Sequence, residues 1–100
     1  MSTITIEVGF QRGGCTFGLS PRTALMLRER FPTLEQSPSQ IYLGFDSEAA
    51  YARLFEVSSG WWKQVAFMLT GLSPEQLAEG FEQVTFVNPV KHETLFSAAA

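Results

Sequence analysis

Histidine, cysteine and aspartate each occur once in this chain of 100 residues, as His92, Cys15 and Asp46. A single cysteine excludes an intramolecular disulfide and fits a reducing compartment. With one histidine and one cysteine, the chain falls short of the three or four soft or borderline ligands a zinc site takes. The glutamates lie mainly on expected helices, not clustered in a loop as a hard cation requires. Cys15, His92 and Asp46 are a conceivable nucleophilic set, yet each has a plainer role: strand face, tail and helix cap. Neither catalysis nor a cofactor or metal is therefore expected.

Positive charge is also scarce. Seven Lys and Arg against ten Asp and Glu give a net charge of −3. This argues against direct nucleic-acid binding, which draws on a basic excess. No run reaches the roughly 18 apolar residues of a membrane span, and the N-terminus lacks a basic segment followed by an apolar one. The expectation is a cytoplasmic chain with no membrane partner. Gly13-Gly14 lacks the remaining elements of a phosphate loop or a dinucleotide fingerprint. With Arg12 it reads as a hairpin turn, not as an RNA-binding repeat.

What the chain does have is apolar surface: 45% of its residues are hydrophobic and 13% aromatic. That is enough to build one core without staples. Ile4, Ile6, Val8 and Phe10 alternate with smaller or polar residues, as do Cys15, Phe17 and Leu19, so the two runs predict a β-hairpin around Gly13-Gly14. Ser20-Pro21 opens a helix to about Phe31, its core stripe marked by Ala24, Leu27 and Phe31. A polar loop is expected over 33–39, followed by a strand through Ile41, Leu43 and Phe45. Asp46 is expected to cap a second helix running to about Val57, with Ser58-Ser59-Gly60 breaking it. The apolar segment Trp61–Thr70 forms a third helix ending at Gly71, a left-handed cap. Ser73-Pro74-Glu75-Gln76 starts a fourth helix to about Glu82. Val84 and Phe86 predict a last strand. The weak periodicity after Val90 predicts a tail, disordered beyond Ser97.

The expected architecture is α+β: one globular domain over residues 1–97, with a hairpin and two further strands in a mainly antiparallel sheet. About four helices pack on it, in the order ββαβαααβ.

Candidate binding residues fall into three groups. On a projection of about 100° per residue, Met68, Trp61, Val65, Leu69, Trp62 and Ala66 share an arc of roughly 160°, with Phe67 opposite. The favoured reading sandwiches this helix and buries Phe67 in a second contact. The other reading makes Trp61, Trp62 and Phe67 interface anchors. Glu75, Glu79 and Glu82 form an acidic stripe on the fourth helix, able to steer a basic partner or simply to solvate the domain. Arg22, Arg28 and Arg30 form a diffuse basic patch on the first helix, available to a phosphate or to the glutamates of the same fold.

Together these features point to a non-catalytic protein-binding module. By analogy it would be a small intracellular inhibitor or adaptor of the bacterial or phage accessory type, docking on a larger machine. The alternative is a structural subunit or homo-oligomer assembled through the tryptophan helix.

Overall fold

In the computed structural model, residues 2–32, 40–45, 47–56, 58 and 60–100 are described. The hairpin forms where alternation places it: β1 (Thr3–Gln11) and β2 (Gly14–Leu19) pair antiparallel from Ile6↔Leu19 to Gln11↔Gly14. Gly13 takes φ 77°, the positive value a tight turn demands of its residue. Gly14 is needed for a different reason. A side chain there would collide with the Leu43 carbonyl and the Tyr42 ring, so its absence lets the neighbouring strand approach.

Helix α1 (Pro21–Arg30) begins as expected, with the Ser20 hydroxyl accepting the Thr23 N–H at 3.2 Å. Its first turn extends the edge of β1. Ser20 N–H donates to the Thr5 carbonyl at 3.0 Å, and Thr5 N–H donates to the buried Thr23 hydroxyl at 3.1 Å. Leu27 is the buried residue of the expected stripe, whereas Ala24 and Phe31 are only partly covered.

Strand β3 (Gln40–Gly44) pairs antiparallel with β2, and helix α2 (Glu48–Leu54) follows. Its cap is Ser47, whose hydroxyl accepts the Ala50 N–H at 3.2 Å. Asp46 and Val57, and the loop at 33–39, lie outside the described residues. Helix α3 (Trp61–Thr70) is bounded by Gly60 and Gly71, both left-handed, with the Gly71 N–H returning to the Phe67 carbonyl. Helix α4 (Pro74–Gly80) opens on a complete Ser73/Gln76 capping box. It stops two residues earlier than the sequence suggests, because Phe81 turns extended and buries itself against Phe31 and the core.

The C-terminal region corrects the sequence reading. After β4 (Gln83–Asn88), a turn leads into a fifth strand, β5 (Glu93–Ala99), which pairs with β4 from Asn88↔Glu93 to Gln83↔Ala99. The Ala100 N–H still donates to the Glu82 carbonyl at 3.1 Å, so the residues read as a disordered tail belong to the sheet. The turn is held by the Asn88 side-chain oxygen, which accepts the N–H groups of Val90 and Lys91. His92 takes φ 53° there.

The fold is α+β, with sheet order β3-β2-β1-β4-β5 and element order ββαβαααββ. Central β1 runs parallel to β4, and the other pairings are antiparallel. The connection from β3 to β4 carries α2, α3 and α4 over β2 and β1, which places these helices on one sheet face. Ile4, Ile6, Val8, Cys15, Phe17, Val84 and Phe86 project into that layer and meet Leu54, Val65, Leu69, Leu72 and Leu77 from the helices and their connections. The opposite face carries Thr5, Thr16, Thr85 and Ser97, with the Thr85 and Ser97 hydroxyls 3.1 Å apart across β4 and β5.

Candidate functional site: the outer face of the tryptophan helix

Helix α3 has two unlike sides. Trp62, Val65, Ala66, Leu69 and Thr70 are buried. Trp62 is 3% exposed, its ring 6.0 Å from that of Phe96, with the Lys63 ammonium over it, 5.6 Å from the ring centroid. Its indole Nε1 is buried and finds no hydrogen-bond partner among the described residues. Trp62 is therefore a core residue.

The other side carries Trp61 at 50% exposure, Phe67 at 50% and Met68 at 43%. On the helical projection these three, with Gln64 among them, span about 120°. The expectation that Phe67 is sandwiched in a second contact is overturned, because half its surface meets solvent. Met68 and Trp61, which share the apolar arc of the sequence projection, lie on this exposed side as well.

The buried arc takes in Thr70 in place of Met68 and Trp61. Apolar character alone centres the buried arc between Trp61 and Trp62, but the helix is rolled by about 50° toward Thr70. The Thr70 hydroxyl donates to the Ala66 carbonyl at 2.7 Å and accepts the Leu72 N–H at 3.1 Å. With both capacities used locally, the hydroxyl is buried without an unmet bond. It also shapes the corner that sends Leu72 into the core, where it is fully covered. The roll leaves Met68 and Trp61 outside.

The acidic stripe does not form as a stripe. Glu75 and Glu79 are exposed on α4, but Glu82 lies beyond the helix, in the bend where its N–H bonds the Ser2 carbonyl at 2.9 Å. The basic patch divides likewise. Arg22 and Arg28 are exposed on α1. Arg30 donates to the Gly80 carbonyl at 2.8 Å and to the Ser2 hydroxyl at 2.6 Å, and lies 5.1 Å from the Phe81 ring centroid. A guanidinium is suited to such a fork; here it ties the last turn of α1 to the end of α4 and the start of β1. The sequence missed this role because Gly80 and Ser2 offer no charge to pair with.

The chemistry-bearing residues are placed as follows. Cys15 is fully buried on the helix-facing side of β2, and burial pushes its thiol up to about 11. His92 is exposed in the β4–β5 turn, and Asp46 lies outside the described residues. Among the described residues no three His, Cys, Asp or Glu side chains converge as metal ligands, and no helix is long and apolar enough to cross a membrane.

A shallow depression of about 430 Å³ lies at the hairpin tip, lined by Phe10, Gln11, Gly13, Gly14, Phe45, Ser47 and Tyr51. Tyr51 packs edge-on against Phe10, Phe45 and Phe55, and its phenol is pushed up to about 12, mainly by burial, with Cys15 and Glu93 adding to it.

No family model, curated protein or solved structure matches the chain.

Proposed function

We propose that the protein is a non-catalytic binding module that docks on a larger protein through the outer face of α3. The observation that carries this reading is the exposure of Trp61, Phe67 and Met68 on one side of a helix whose other side is core. An isolated exposed apolar residue is ordinary; three large ones within one helical arc form a patch of the kind that marks interaction surfaces. Tryptophan is enriched among residues that dominate binding energy, and methionine adapts its shape to a partner. The presentation is that of an amphipathic helix offering anchors two turns apart, at Trp61 and Met68, to an apolar groove.

The remaining candidates take lesser roles. Glu75 and Glu79 can steer a basic partner without making the contact, while Trp62 supports the surface from inside the fold and Arg30 ties α1 to the end of α4 and the start of β1. The burial of Cys15 supports a non-catalytic role, and its single free thiol fits action in the cytoplasm as an inhibitor or adaptor.

A second copy of the chain is the competing occupant of the same face. Molar mass measured from low micromolar to several hundred micromolar protein separates the two. A monomer throughout, together with a partner whose binding is lost in Phe67→Asp, supports docking on another protein. A mass that doubles with concentration and reverts in Phe67→Asp supports self-assembly.

A further inference from the structure

We draw no further inference here: the strongest candidate, the shallow aromatic depression at the β1–β2 hairpin tip lined by Phe10, Phe45 and Tyr51, is an apolar surface for which nothing in the structure shows what covers it.

Discussion

At the scale of single residues, adjacent tryptophans do different work. Trp62 is buried in the core beside Phe96, while Trp61 stands half in solvent. Trp62→Ala is expected to cost about 3–5 kcal/mol of stability, the range for emptying a buried aromatic site. Trp61→Ala should cost roughly 1 kcal/mol, because less area leaves water on folding. Urea unfolding of both variants tests this, and equal losses would contradict the assignment of sides. Cys15 and Tyr51 make a second prediction. Burial raises the thiol from 9.0 to about 11 and the phenol from 10.0 to about 12. Both groups thus hold their protons in the fold at pH values where the unfolded chain has begun to release them. Their contribution to stability is full below about pH 9 and declines as pH rises toward 12. The urea midpoint should fall from about pH 9 upward, and Cys15→Ala should delay the onset by about one pH unit, toward the tyrosine range. A midpoint unchanged between pH 9 and 11 would contradict this.

At the scale of elements, what the sequence shows and what it hides follow from how local each cause is. The hairpin, the Ser20 and Ser73 caps and the Gly71 terminus depend on neighbours within a few positions, and each is where its residues place it. Strand β5 is hidden by its own irregularity. Val87 pairs with Thr94 and Phe86 with Phe96, which leaves Leu95 as an extra residue at a bulge. Leu95 and Phe96 are then both partly covered in succession, and the two-residue alternation that reveals a strand is lost. Its worth is testable. Deleting residues 93–100 should abolish cooperative unfolding, since it uncovers Phe86, Trp62 and the whole outer edge of β4. A truncated chain with an unchanged melting temperature would show β5 to be dispensable. Arg30 joins elements far apart in sequence, and no motif betrays it. Arg30→Ala should lower stability by about 1 kcal/mol through the lost bonds to Gly80 and Ser2. Arg30→Lys should not restore it fully, because an ammonium lacks the planar fork; full rescue would reduce the contact to one of charge alone.

At the scale of the whole molecule, the sheet is covered by helices on one face, and the helix layer in turn exposes one apolar side. Fold class was legible from periodicity. The parallel pairing of β1 with β4 was not, because it joins segments about eighty positions apart with no local signal. The candidate site was half legible: Trp61 and Phe67 stood out by type, but apolar pattern alone did not show that α3 rolls to bury Thr70, whose hydroxyl is satisfied locally. The same roll explains why Met68 joins the surface. Because Phe67 contributes little to the core, Phe67→Asp should keep the native circular dichroism and lie within about 1 kcal/mol of the parent stability. That makes it a clean probe of docking. The decisive measurement is quantitative affinity capture from a lysate of the source cell with three baits: the parent chain, Phe67→Asp, and Leu25→Asp as a control on another exposed apolar residue. The account predicts a stoichiometric protein partner retained by the parent and by Leu25→Asp and reduced at least about tenfold with Phe67→Asp, the scale of losing one anchor residue. Equal retention by all three folded baits would contradict the assignment of the α3 face as the binding surface.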